Sequence, residues 1–331
     1  MLVRPFYTDV GWSLYEDTFK NWKLDEKTIQ LVNDLDAADV LLVPYPINYY
    51  YDKDCINIIS HYNSLCEKYK LKAFGYIAGD QGMGYPEFEH ITYFRLGGNK
   101  SKLSKNNKGL PAALSDQNKR LFGTEDIVIR QKESKPVIGF CGHATPNIFT
   151  YFYQTFQYLT ENLNRFLEDT NRIDYEPYFQ SAFQRYKILQ VLEGSENLIT
   201  KFIFREKYRG GAKSEEEYHS TTLEYYNNIK DSDYVLCMRG AGNFSIRLYE
   251  TLMMGRIPIF VNTDCILPLE NHINWKDHVV WVEWEERNRI NEIIYEFHKN
   301  ILSEQFKELQ TENRNLWKKK LQPNFMIQNL I

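Results

Sequence analysis

Apolar runs and helically spaced stripes alternate along this chain. Leu2–Tyr7, Val40–Pro44, Ala73–Ala78 and Ile91–Arg95 are short apolar runs that read as strands. Between them residues 26–35 and Ile56–Tyr69 take helical spacing, the latter with Ile56, Ile59, Tyr62, Leu65 (or Cys66) and Tyr69 on one face. The pattern restarts at Pro136–Gly142, a strand ending in glycine. A long aromatic-rich helical stretch at Ile148–Gly194, a strand at Ile199–Phe204 and a helix at Ser214–Lys230 follow, the last with Tyr218, Thr222, Tyr225 and Ile229 on one face. Strands separated by helices predict parallel sheets, and 331 residues are enough for two cores. The expected fold class is α/β, with two Rossmann-like domains at 1–135 and 136–287 and a helical tail at 288–331.

The clearest unit is Asp233–Asp264. Tyr234–Met238 and Ile257–Val261 are buried-type strands, and Ile246, Tyr249, Leu252 and Met253 mark one face of a helix starting near Ser245. Gly255 stands where that helix needs a left-handed stop. The turn Arg239-Gly240-Ala241-Gly242-Asn243 delivers the free N–H groups of the helix to the carboxyl edge of the sheet, a place that attracts phosphate. Arg239 and Arg247 can offer forked donors to a diphosphate, and Glu250 can accept two hydroxyls of a ribose. The plain alternative makes Arg247 and Glu250 a surface i, i+3 pair.

These residues resemble the signature of the exostosin family of glycosyltransferases: Arg239-Gly240, Ser245-Ile246-Arg247, Glu250, Gly255-Arg256-Ile257-Pro258, Asp264, Leu267-Pro268 and Ile273-Asn274-Trp275, in that order, with the likeness strongest over Tyr234–Trp284. A thinner likeness covers Ala38–Pro46, Asp80 and Val137–Gly142. The resemblance implies a GT-B-like fold with two parallel sheets facing a cleft, and an inverting transfer of sugar from a nucleotide-sugar donor to a hydroxyl of a glycan or lipid-linked glycan. It further implies that the last helix crosses back onto the first domain. Arg205, Arg239, Gly240, Gly242, Asn243, Ser245, Arg247 and Glu250 are then the expected donor-binding residues. Asp80, in the turn Gly79-Asp80-Gln81-Gly82, is the expected general base, with Asp9 and His143 as further candidates at strand ends; a turn-stabilising role for Asp80 is the alternative. No cofactor beyond the nucleotide-sugar co-substrate and no divalent metal is expected, since arginines can neutralise the leaving diphosphate.

Charge and composition narrow the picture. Residues 1–135 are balanced and the net −4 lies in the remainder, which argues against a nucleic-acid partner. Five scattered cysteines fit reduced buried thiols. The first residues run into a predicted strand with no long apolar segment, so a cytoplasmic enzyme without a transmembrane segment is expected, peripheral membrane contact being left open. Residues 97–108, basic and of low complexity, read as a mobile surface loop or an acceptor-side lid. Arg205 and Arg209, beside Gly210-Gly211, read as a cleft wall or as exposed loop residues. Asp231-Ser232-Asp233 has metal-binding spacing but precedes its strand, the wrong edge of a parallel sheet for a ligand. Two rival functions remain: a non-catalytic binder of sugar nucleotide or glycan on the same scaffold, and an NAD-dependent oxidoreductase using Asp264 for the adenosine ribose.

Overall fold

The computed structural model describes residues 30, 32–80, 83–168, 178–206 and 208–328. The predicted strand Leu2–Tyr7, Asp9 and most of the predicted helix at 26–35 lie outside the described residues. The first unit runs β1 (Leu41–Leu42), α1 (Ile47–Asp52), α2 (Ile56–Tyr69), β2 (Ala73–Tyr76), β3 (Ile91–Arg95) and β4 (Asn107–Gly109), with all its strand pairs parallel in the order β1-β2-β3-β4. α2 forms where the periodicity places it, buries Ile59 and Cys66, and stops at Lys70 in the left-handed region. One sheet face packs on Ile47, Ile59 and Cys66; the other exposes Phe74, Phe94 and Leu110 to a different cover.

The second unit runs α3 (Gln117–Phe122), β5 (Val137–His143), α4 (Ile148–Glu168), α5 (Ser181–Glu193), β6 (Ile199–Arg205), α6 (Glu215–Lys230), β7 (Tyr234–Cys237), α7 (Ile246–Met253), β8 (Ile257–Asn262) and β9 (Val280–Glu283). Its five strands are parallel in the order β6-β5-β7-β8-β9. α6 starts on a full capping box, Ser214 accepting from Glu217 N–H. Gly255 has φ +63, so glycine is needed for the turn, and the end of the Ile127 side chain fills the space a Cβ would take. The tail forms α8 (Ile290–Asn300), α9 (Ser303–Lys319) and α10 (Pro323–Gln328). The α/β architecture with two parallel-sheet units is therefore present.

Three details depart from the sequence expectation. From Ala112 onward the linker rides on the second unit, not the first: Leu114, Leu121 and Phe122 pack against the core around Leu252 and Trp317, and Asp116 takes a forked pair from Arg314 at 3.1 and 2.5 Å. Of the tail, α8 and α9 stay with the second unit. Only α10 crosses back, setting Met326 against Phe74, Phe94 and Leu110. The basic stretch at 97–108 is not a free loop either, although its lysines are exposed. Buried Arg95 ties it down by donating to the carbonyls of Gly97 and Met83 and to Asn107 Oδ1. Ser101 donates from N and Oγ to the Asp264 carboxylate at 3.0 and 2.6 Å, and Gly109 lies flat on the Leu267–Pro268 backbone. This stretch is the seam between the two units. Hydrophobicity could not reveal β4, because the strand is held by buried polar contacts of Asn107.

No helix among the described residues is long and apolar enough to cross a membrane.

Candidate functional site

Numbered from its own first strand, the second sheet has the order 2-1-3-4-5. Its strand order reverses between β5 and β7, and ligands of open parallel sheets bind beyond the carboxyl ends at such a switch point. Two arginines span that point. Arg247, from the first turn of α7, donates Nη2 to Cys141 O at 2.8 Å and Nη1 to Leu236 O at 3.4 Å, stitching β5 to β7. It lies on the Phe140 ring at 4.4 Å and donates Nε to Tyr225 Oη at 3.2 Å. Gly142 makes room, since a Cβ there would stand 2.7 Å from Arg247 Nη2. Arg185, from α5, donates Nη1 to His143 O at 2.6 Å and Nη2 to Arg239 O at 3.3 Å, at the same two strand ends. Its Nε is buried without a hydrogen-bond partner. Burial and then the neighbouring Arg247 charge push its pKa down to about 9, so it is a cation at neutral pH.

Around this pair the other side chains are fixed. Arg239 is buried, stacks on Phe179 at 4.5 Å and donates Nη2 to Ala241 O at 3.0 Å. Glu250 receives the hydroxyls of Tyr225 at 2.5 Å and Tyr226 at 2.9 Å, one on each oxygen. Burial first, then the Glu250 charge, hold both phenols well above their ordinary pKa, so they remain donors. Arg247, Tyr225, Glu250 and Tyr226 thus form one network, and the surface-pair reading of Arg247 and Glu250 does not describe it.

Other candidates serve different contacts. Arg205 spends its guanidinium on Thr221 O and Glu224 at 2.7 Å each, anchoring β6 to α6. The described side chains do not include Arg209. Gly240 has open space where a Cβ would stand, whereas at Gly242 a Cβ would sit 1.6 Å from the Asp80 carbonyl oxygen. The second glycine therefore joins the two units. Asn243 is buried, donating to Asn99 Oδ1 and Thr263 O and accepting from Thr263 Oγ1 and Cys265 Sγ, so its side chain holds the turn. Ser245 is the N-cap residue of α7 and makes no side-chain cap bond.

Asp80 is brought to the Arg239–Asn243 turn by the same contact with Gly242, and its side chain is exposed. Asn48 pins the strand end before it, exchanging hydrogen bonds with Ala78 N and O. His143, the last residue of β5, directs Nδ1 to Arg205 O at 2.9 Å. A carbonyl only accepts, so Nδ1 carries the proton and the neutral ring keeps its lone pair on Nε2.

The rival motifs are committed elsewhere. Asp264, at φ +64, spends both carboxylate oxygens on Ser101 at the seam. Asp233 is fully buried, paired with Arg130 at 2.5 Å and accepting from Val137 N, at the amino end of β7. Sequence reasoning missed Arg185, Phe179 and Tyr226. Arg185 was visible only as one of the charges in a mixed helical stretch, beside Lys187, and Tyr226 as the second of a tyrosine pair.

Comparison with known proteins agrees with the sequence resemblance over this region. Residues 170–297, a stretch that holds the switch-point arginines, match the Exostosin GT47 domain. A probable glucuronosyltransferase of Oryza sativa subsp. japonica is 33% identical over 70 residues, 21% of this chain and 16% of that protein. A probable beta-1,4-xylosyltransferase of Arabidopsis thaliana is 35% identical over 65 residues, 20% of this chain and 15% of that protein. The chain covers only about a sixth of the length of these relatives. A solved glycosyltransferase from Rickettsia africae ESF-5 aligns over 97% of this chain and 86% of that one at 12% identity, with a TM-score of 0.39 that is too low to bear on the fold.

Proposed function

We propose that the chain is an inverting glycosyltransferase that moves a sugar from a nucleotide-sugar donor to a hydroxyl of a glycan or lipid-linked glycan. The observation that carries this reading is Arg185: a part-buried cation at the switch point whose Nε is buried and unpaired, with another arginine, not a carboxylate, as the charged neighbour that shifts its pKa. Such a charge favours an anion at the mouth of the sheet, and the first N–H groups of α7 face the same edge. A diphosphate there leaves the Glu250 oxygens, oriented by two phenols, to accept from the ribose hydroxyls.

In the reaction the acceptor oxygen attacks the anomeric carbon while the bond to the diphosphate breaks. The electron pair goes to the leaving diphosphate, where Arg185 and the α7 N–H groups stabilise it without a divalent ion. The acceptor proton goes to a base on the facing unit. Asp80 is the first choice because its backbone touches the donor turn; His143, with Nε2 basic in the neutral ring, and Asp9 are the others. The commitment of Asp264 to the seam counts against an NAD enzyme.

A thermal-shift panel of UDP, GDP, CMP, ADP and NAD tests the reading. Saturation at about 100 Kd adds roughly 2.7 kcal/mol. Stabilisation by a nucleoside diphosphate is the expected outcome, and a shift with NAD alone would sink it. Turnover of the matching nucleotide sugar then separates an enzyme from a non-catalytic binder.

A further inference from the structure

α4 is amphipathic the wrong way round. Its polar side faces the body of the protein: Thr155 Oγ1 receives Gln180 Nε2 at 2.7 Å, Tyr151 receives the Tyr178 hydroxyl at 2.8 Å, and Arg165 is buried. Its apolar side faces outward. Phe149, Phe152, Phe156, Leu159, Leu163 and Phe166 are between 55% and 80% exposed. Their spacing is 3, 4, 3, 4 and 3 residues, the a and d positions of a heptad seam.

We propose that this face pairs with the same face of a second copy of the chain, α4 against α4 about a two-fold axis. A 3.5-residue repeat is the pattern a facing helix reads, because each a or d side chain enters a hole between four residues of its partner. The area is sufficient. Aromatic side chains offer about 150–250 Å² each, so the six exposed residues present on the order of 800 Å², what one partner of a standard interface buries. Charge does not oppose self-pairing, since no acidic or basic residue falls among the seam positions and Gln157 and Asn164 flank it. The same lack of exposed cations on the helix, where Arg165 is the one basic residue and is buried, disfavours an anionic lipid surface as the occupant. A two-fold contact uses one patch twice, so each substitution in it counts twice.

Sedimentation velocity of the full chain across the micromolar range tests the proposal. The wild type is expected to sediment as a dimer, and Phe156→Glu to weaken self-association about 10²–10³-fold, two hot-spot losses per dimer. Because Phe156 is 64% exposed, the variant is expected to keep its circular dichroism and Tm as a monomer. Leu163→Glu, one heptad further along, provides the second variant should the first fail to fold. A wild type that is monomeric throughout, or folded variants as dimeric as the wild type, overturns the proposal. So does a monomeric wild type that floats with phosphatidylcholine vesicles and loses flotation on Phe156→Glu, which gives the face to lipid instead.

Discussion

Two arginines, Arg256 buried and Arg185 part-buried, stand at opposite ends of the second sheet, and the difference between them separates scaffold from site. Arg256, just before β8, is bonded throughout: Nε and Nη2 to Lys230 O at 2.9 and 2.8 Å, Nη2 also to Val128 O, Nη1 to Gly255 O and Gln310 Oε1. Burial and then Arg130 push its pKa down to about 10, while Asp233 and Asp231 oppose the shift. Arg185, at the carboxyl end, keeps an unpaired N–H and feels only another arginine. A buried guanidinium by itself therefore says little. What marks a ligand site is a remainder of donor capacity and of charge that the protein leaves uncancelled.

The largest effect expected at the carboxyl edge is on turnover. Asp80→Asn should lower kcat by ~10²–10⁴, the usual span of general-base catalysis, while donor affinity measured by calorimetry stays put. Turnover within a few-fold of wild type would assign Asp80 to turn structure and move the role to His143 or Asp9. At the amino edge the large effect is on folding instead. Asp233→Ala removes a fully buried carboxylate from the part-exposed Arg130 and from Val137 N and should cost about 2–3 kcal/mol in chemical denaturation. A loss under 1 kcal/mol would mean that this edge is not the scaffold described.

Arg185→Gln sharpens the contrast most directly. Nucleotide affinity should fall about 10²-fold, or 2.7 kcal/mol, with Tm unchanged or higher, because the variant removes a buried charge that no carboxylate offsets. A drop in Tm with affinity intact would make Arg185 a second Arg256. Smaller still, Asp264→Ala should lower stability by ~1–3 kcal/mol through loss of the Ser101 contacts and leave nucleotide affinity alone. The smallest expected effect is none: activity should survive excess EDTA, and complete loss restored by Mg²⁺ or Mn²⁺ would count against the arginines as the diphosphate's counter-charge.

The βαβ unit at 233–264 was legible because each local signal agreed: apolar strands, helical spacing, a glycine stop. Its site was legible only by residue type. Arg247 and Glu250 were picked out correctly as neighbours, but that one turns inward under β5 and β7 and the other is held by Tyr225 and Tyr226 depends on contacts more than twenty residues away. Gly242 reads in sequence as a phosphate-binding glycine and in structure as a point of contact with Asp80, because a glycine that admits a ligand and one that admits another backbone look alike in sequence. The lysine-rich stretch misled for a related reason. Its exposed charges are real, but buried Arg95 and the Asp264 carboxylate decide where its backbone lies.

The placement of Met326 on Phe74, Phe94 and Leu110 has a consequence for biosynthesis. At the ribosome's pace of about 5–20 residues per second, roughly 10–40 s pass between the emergence of Leu110 and that of the side chain that caps it. Through that interval the patch that Met326 covers stays open, so a nascent chain stalled before α10 should be held by chaperones and cut by proteases more readily than the finished chain.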